Sequence, residues 1–229
     1  MKTKKPLTIK RERTRQAIIK AAISSIADKG LAGTSIDELM SHTGMARGTF
    51  YNYFQTREQL LTAVIEYVRD LIHEHIEQQM PKDLANESVV ACMIYGLIRY
   101  SAAHPCLGWT LVRLSADTDF FQLPNQDDHR FHRINTVLMH SVKRDIPFLA
   151  AQIYTIGTVD TLMRHVLQQH IDTAQTEQIM ALILRGIGIE ESQIDDVINT
   201  ARAFAEKVYQ NTKDQAESFC PPLTSCSKL

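Results

Sequence analysis

The stretch SIDELMSHTGMARGTFYNYF, residues 35–54, decides the fold of the N-terminal part of the chain. Ser35 followed three residues later by Glu38 is the pattern of a capping box, which opens a helix. Thr43-Gly44 ends this first helix, and a second short helix is predicted over residues 46–53. Two short helices joined by a tight glycine turn have the layout of a helix-turn-helix.

Helical periodicity continues on both sides of this motif. A helix is predicted over residues 11–29, and a long helix, opened by the capping box of Thr56 and Gln59, over residues 56–80. No run of alternating β-branched residues predicts a strand, so the predicted fold class is all-α. The remaining helices are predicted at 87–103, 106–116, 126–146, 148–170, 174–187 and 191–210, with Asn86 and Thr173 as N-caps, and the tail 211–229 is predicted to be disordered.

Charge is distributed unevenly along the 229 residues. Residues 1–60 contain 11 Lys and Arg against five Asp and Glu, whereas residues 61–229 contain 14 against 21. This asymmetry predicts a basic module that faces a polyanion and an acidic module with another role. No apolar run approaches the ~20 residues that span a bilayer, and no secretory signal follows the basic N-terminus, so a cytoplasmic protein without membrane contact is expected.

The four cysteines, at positions 92, 106, 220 and 226, show no C-x-x-C spacing. In a cytoplasmic protein they are expected to be reduced and to form no structural disulfide.

The second helix of the motif combines a small, hydrogen-bonding face with an apolar face. Phe50 and Phe54 are predicted to point inward, and the opposite face consists of Arg47, Gly48, Thr49, Tyr51, Asn52 and Tyr53. Such a face can approach base edges closely and can bond phosphates at its flanks. The basic arm at residues 2–15 adds attraction to a phosphate backbone. These features predict nucleic-acid binding; the alternative is an ordinary helical hairpin with a solvated polar face.

Residues 12–72 resemble the N-terminal domain of the TetR family of bacterial transcriptional regulators. The matching segments are TRQAIIKAA, DKG, TSIDELMSHTG and MARGTFYNYFQTREQLL, of which the last is the most specific. The resemblance implies a three-helix DNA-binding head over residues 12–72, a long fourth helix, and a helical ligand-binding and dimerisation domain over residues 73–210. It also implies a homodimer.

The family resemblance also assigns roles to individual residues of this motif. Thr49 and Tyr51 match positions of base or near-base contact, and Arg47 and Gly48 match positions that approach the groove. The implied phosphate contacts are Tyr53, Arg57 and Ser35. Two positions depart from the family pattern: Ala46 stands where Ser or Thr often caps the recognition helix, and Ile26 stands where Phe is common.

Residues 87–146 mix aromatic side chains with a few polar ones, which suits a small-molecule pocket between helices. The candidate pocket residues are Met93, Tyr100, Trp109, Arg113 and Phe131. The alternative is that these side chains form the core.

Helix 148–170 carries a stripe of small and polar residues along one side, which allows another helix to approach closely. The stripe comprises Ala151, Tyr154, Gly157, Thr158, Thr161 and His165. The family resemblance favours a two-fold dimer interface here, with Tyr154, Gly157, Thr158 and Thr161 as candidate contacts, formed by this helix and helix 174–187. Burial within the same subunit is the alternative.

Other chemistry finds little support in the sequence. His129, His132 and His140 lie near two aspartates and could bind zinc or nickel, but histidines in such patterns are more often surface residues, and no metal or other cofactor is predicted. The enzyme motifs G-x-S-x-G, Walker A, H-E-x-x-H and C-x-x-C are absent. The sequence thus predicts a dimeric repressor that binds a palindromic operator in double-stranded DNA and is released by a small-molecule effector. The alternatives are an activator, a ligand-independent regulator of the same fold and a cytosolic helical enzyme.

Overall fold

The structure is a computed structural model that describes residues 9–117, 136 and 146–213. Every regular element in these ranges is helical, which confirms the all-α prediction. The helices are α1 (Ile9–Gly33), α2 (Ile36–His42), α3 (Arg47–Tyr51), α4 (Arg57–His75), α5 (Asn86–Ala103), α6 (Pro105–Asp117), α7 (Phe148–Leu167), α8 (Thr173–Gly186) and α9 (Glu191–Thr212), and a 3₁₀ turn (Glu77–Gln79) follows α4.

We call α1–α3 and the first turns of α4 the head, and α5–α9 the body. Phe50 and Phe54 are buried in the head, as predicted, with ring centroids 5.7 Å apart. The body packs against the head through α6, where Thr110 Oγ1 donates a hydrogen bond of 3.1 Å to the carbonyl of Ile23 in α1. Ser115 of α6 bonds Asp160 of α7 on the other side. Helix α6 therefore lies between the head and α7.

Helix α1 is interrupted where the sequence predicts its end. Gly30 has φ +75°, in the left-handed region that favours glycine, and the hydroxyl of Thr34 donates to its carbonyl at 2.9 Å.

Helix α4 is shorter than predicted. It ends at His75 rather than at Met80: Ile76, with φ −118° and ψ −66°, is its C-cap, and the 3₁₀ turn follows. Ile76 is fully buried, and a Cβ placed on Gly96 of α5 would lie 3.0 Å from its Cγ2. Ile76 therefore packs against α5 where α4 ends, and the helix stops before Pro81.

Both predicted N-caps in the body are wrong by one residue. Ala85 and Asp172 are the capping residues, and Asn86 and Thr173 begin the helices. Asp172 accepts a hydrogen bond of 2.8 Å from the Gln175 backbone, and the Gln175 side chain accepts one of 3.0 Å from the Asp172 backbone. This full capping box explains why Asp172 is preferred over its neighbour.

The cysteine prediction fails at Cys106, which is disulfide-bonded. Cys92 is a buried thiol that forms no disulfide. Spacing along the chain does not reveal which cysteines a fold brings together, so the sequence offered no signal for this bond. No helix in the described ranges is long and apolar enough to cross a membrane. The predicted helix 126–146 and the tail beyond residue 213 lie almost wholly outside those ranges.

Candidate nucleic-acid interface

Helices α2 and α3 form the predicted helix-turn-helix. Ser35 Oγ accepts the backbone N–H of Glu38 at 3.2 Å and so caps α2. Gly44 takes φ +66° in the turn, and the N–H of Met45 closes it by donating to the carbonyl of Met40 at 3.0 Å. The left-handed residue allows the chain to turn sharply enough for α3 to begin at Arg47.

Helix α3 is anchored by one buried side chain and exposes most of the others. Phe50 is fully buried, and its ring meets the ring of Tyr51 edge-on at 5.3 Å. Tyr51 is 49% exposed, and a Cβ on Gly48 would meet no atom within 4 Å. Thr49 is half-buried. The structure thus places Arg47, Gly48 and Tyr51 on the accessible side of α3, where the sequence predicts them.

The start of α3 lacks a side-chain cap, because Ala46 offers no acceptor. Arg47 instead bonds an acidic residue of α2: its Nη1 lies 3.2 Å from Oδ2 of Asp37. The Tyr51 side chain and the charge of Asp37 raise the pKa of Arg47. Asp37, which was missed in the sequence, thus pairs with one predicted DNA contact.

The three predicted phosphate contacts are engaged within the head. Ser35 caps α2, and Tyr53 is half-buried with the Arg11 guanidinium 5.9 Å above its ring. Arg57 donates to the carbonyl of Leu31 at the end of α1. A guanidinium has five N–H donors, so this bond is compatible with a phosphate contact as well.

Two cations of α1 stabilise the loop that follows α3. Arg11 donates to the carbonyl of Asn52 at 3.3 Å, and the Arg15 guanidinium lies 5.4 Å from the ring centroid of Phe54. The sequence treats these residues only as part of a basic arm that attracts phosphate. In the structure they also hold the end of the recognition helix.

Of the described candidate pocket residues, Trp109 and Arg113 lie together, with the Arg113 guanidinium 6.0 Å from the Trp109 ring centroid. Tyr100 and Trp109 are buried and Met93 is half-buried, whereas Phe131 lies outside the described ranges. Arg113 turns toward the head, where its Nη1 donates to the carbonyl of Ile26 at 2.9 Å. The aromatic residues fit the core interpretation, and Arg113 connects the body to α1.

Tyr100 lies between two histidines where α4 ends against α5. Its ring centroid is 4.5 Å from that of His104 and 5.6 Å from that of His75. Burial, with a smaller contribution from the charge of His75, lowers the pKa of His104 to about 4, and burial also lowers the pKa of His75. Tyr67 and Glu74 of α4 are the other titratable groups that act on this cluster. The folded protein therefore favours neutral histidines here.

This cluster predicts a loss of stability in mild acid. The folded-state pKa of His104 lies below its ordinary value of 6.5. The contribution of neutral His104 to the stability of the folded protein is therefore complete above pH 6.5 and declines as the pH falls toward 4. We expect a loss on the order of 2 kcal/mol in the free energy of unfolding between pH 7.5 and pH 5. Thermal unfolding at both pH values measures it. His104→Gln should reduce the dependence of the free energy of unfolding on pH, whereas the exposed-site control His42→Gln should leave it unchanged. An equal slope of this free energy against pH in the wild type and both variants would contradict the prediction.

The predicted dimer stripe of α7 is mostly exposed, except that Thr158 is half-buried and Ala151 is buried. Tyr154 bridges to α8: its hydroxyl donates to the Leu182 carbonyl at 3.1 Å, and a Cβ on Gly186 would overlap its ring. Around the stripe, Leu149, Ile153 and Leu182 are 64%, 65% and 58% exposed. The face formed by α7 and α8 is therefore apolar and open.

Metal binding has no support within the described ranges, where no group of three or more His, Cys, Asp or Glu side chains could hold an ion. The histidines at 129, 132 and 140 lie outside those ranges.

The structure combines a helical body with a helix-turn-helix whose second helix is exposed. This is the layout of the helix-turn-helix class of DNA-binding proteins. Residues 18–64 match the family described as bacterial regulatory proteins, tetR family. This match lies within residues 12–72 and confirms the resemblance seen in the sequence.

Curated relatives match the same part of the chain. YerO of Bacillus subtilis, an uncharacterized HTH-type transcriptional regulator, is 32% identical over 84 residues, which are 34% of this chain and 29% of YerO. The HTH-type transcriptional repressor LfrR of Mycolicibacterium smegmatis is 37% identical over 71 residues, which are 31% of this chain and 36% of LfrR. The chain thus spans about a third of the length of these relatives.

Solved structures share the fold over most of the chain. A TetR-like transcriptional regulator from a Rhodococcus species has a TM-score of 0.61 at 19% identity, with 81% of this chain and 100% of that chain covered. A TetR family transcription regulator from Marinobacter aquaeolei has a TM-score of 0.57 at 19% identity, with coverage of 86% and 98%. The all-helical body therefore follows the same fold as these regulators.

Proposed function

We propose that the protein is a sequence-specific DNA-binding transcriptional regulator, most simply a repressor. The observation that carries this proposal is the exposed side of α3, where Arg47, Gly48 and Tyr51 stand opposite the buried Phe50 in a TetR-family head. The curated relatives support it, because LfrR is named as a repressor and YerO as a transcriptional regulator. They favour a regulator over a helical enzyme.

The same proposal includes a homodimer on a palindromic operator. One short head reads too few base pairs for the specificity that a genome demands, and two heads about one DNA turn apart, ~34–36 Å, read the same groove face twice. The apolar face of α7 and α8 supports self-association, because large exposed apolar residues are typical of interfaces. Residues 12–72 would form the DNA-binding domain and residues 73–210 the domain that dimerises and binds an effector, in the cytoplasm.

Release by a small molecule is the regulatory part of the proposal. One protein with the same fold, at a TM-score of 0.57 and 19% identity, is named a gamma-butyrolactone receptor. A ligand that favours a different spacing of the two heads would lower operator affinity by its differential binding free energy.

The experiment that tests DNA recognition is selection of preferred sequences with the purified protein, followed by affinity measurements on the selected duplex. Tyr51→Ala and Thr49→Ala should each weaken binding by about 1–3 kcal/mol, because they remove groups that reach base edges. Tyr51→Phe removes only the hydroxyl, so it separates the contribution of the hydroxyl to the binding affinity from that of the ring. Unchanged affinity in folded Tyr51→Ala would exclude α3 as the reading helix.

Arg57→Ala provides a contrast to these changes. It should weaken binding to every sequence and reduce the slope of log affinity against log salt by about 0.9 for each phosphate that the protein no longer neutralises.

A further inference from the structure

The exposed surface of the helix-turn-helix contains an acidic residue that a DNA-binding face would not be expected to keep. Asp37 lies in the first turn of α2, and its side chain is 65% exposed beside Arg47, whose side chain is 62% exposed. Their charged atoms are 3.2 Å apart. Tyr51 follows one turn further along α3, and its side chain contributes to raising the pKa of Arg47. Asp37 and Arg47 thus form an ion pair across the two helices beside Tyr51, and we call these three residues the Asp37 chain.

Stability does not explain this arrangement. An ion pair between exposed side chains contributes little to the free energy of folding, because water and salt screen it. Helix α3 is already held by the buried Phe50, and the turn before it is closed by the bond from Met45 N–H to the Met40 carbonyl. The ion pair therefore matters mainly because it neutralises the charge of Arg47.

A carboxylate and a phosphate compete for the same guanidinium donors. Arginine binds both through paired N–H groups, so an arginine that is paired with Asp37 is less available to a phosphate. Non-specific DNA binding depends almost entirely on such phosphate contacts, whereas sequence is read at base edges. Pairing Arg47 with Asp37 thus removes one non-specific contact and restrains one side chain on the exposed side of α3.

We propose that Asp37 is a specificity-determining residue, which withholds Arg47 from the phosphates of non-operator DNA and positions Arg47 beside Tyr51 to read the operator. This inference rests on the proposed DNA-binding function. It identifies Asp37 as a positioning residue, because it acts through Arg47.

The test compares Asp37→Asn with the wild type on the selected operator and on a duplex of scrambled sequence over a range of salt concentrations. We expect affinity for the scrambled duplex to rise by up to about fivefold per head at 0.1 M salt, with a salt slope steeper by up to about 0.9 per head. Affinity for the operator should rise less or fall, so the ratio of the two affinities decreases. Asp37→Glu, which keeps the carboxylate, should retain most of the ratio.

Two controls separate the Asp37 chain from a general effect of charge. Glu58→Gln removes an exposed acid in the first turn of α4. Asp37→Asn made in an Arg47→Ala background forms a double-mutant cycle. The increase in non-operator binding should disappear in that background and should exceed the effect of Glu58→Gln.

Each outcome decides the inference. If Asp37→Asn changes both duplexes equally, or if its effect persists without Arg47, Asp37 acts only as a surface charge and the inference is wrong. A wild-type protein that prefers no DNA sequence defeats the proposed function itself, which is a separate result.

Discussion

The variant Gly157→Glu, Thr161→Glu is expected to sediment as a monomer and to lose specific operator binding. A Cβ at Gly157 meets no atom within 4 Å, and Thr161 is exposed, so both glutamates fit within the protein's own subunit. In a two-fold dimer through α7 and α8 they would face like charges and be buried without partners, which is strongly destabilising. Because specific binding exceeds non-specific binding by about 10³-fold or more, we expect at least a hundredfold loss of operator affinity.

Sedimentation, circular dichroism and operator titration measure this result together. Ser192→Glu, Gln193→Glu is the matched control, since it adds the same charge at two exposed positions at the start of α9. It should remain dimeric and bind normally. A Gly157→Glu, Thr161→Glu protein that is still dimeric would place the interface elsewhere, and a wild-type monomer that binds its operator tightly would refute the dimeric architecture.

Arg113→Ala is expected to loosen the head from the body. Helix α1 breaks at Gly30, so the carbonyls of its last regular turn lose their usual helical donors. Arg113 supplies a donor from α6 to the Ile26 carbonyl at 2.9 Å. Loss of a half-buried hydrogen bond from a charged group is worth about 1.5–3 kcal/mol. The expected decrease in unfolding temperature is roughly 2–4 °C per kcal/mol for a chain of this size.

Hydrogen exchange at the end of α1 should become faster in this variant, and operator affinity should decline with it. Arg99→Ala is the control, because Arg99 pairs with Glu206 at 3.1 Å on the surface of the body, where an ion pair contributes at most about 1 kcal/mol. Equal effects of the two substitutions, with no change in exchange at α1, would show that Arg113 does not couple the domains.

Local patterns explain what the sequence predicted well. The Ser35 cap, the Thr43-Gly44 turn and the inward phenylalanines fixed the helix-turn-helix, because each depends on residues within one or two turns. The capping box of Asp172 and Gln175 was equally local and could have been found by the same rule.

Interactions between distant parts of the chain explain what was missed. The end of α4 coincides with the packing of Ile76 against Gly96, and the role of Arg113 depends on the Ile26 carbonyl, 87 residues away. Asp37 and Arg47 are ten residues apart on different helices, so no periodicity connects them. The disulfide at Cys106 is a similar case, since cysteine spacing alone does not indicate pairing.

The open space above Gly48 has a consequence for how this protein could diversify. A side chain there would meet no atom of the protein within 4 Å, and the glycine does not require a left-handed backbone. Replacing glycine within a helix by a residue with a side chain even favours the helix, by about 0.5–1 kcal/mol for alanine. A gene duplicate could therefore acquire a new operator preference through a single codon at this position, without losing its fold.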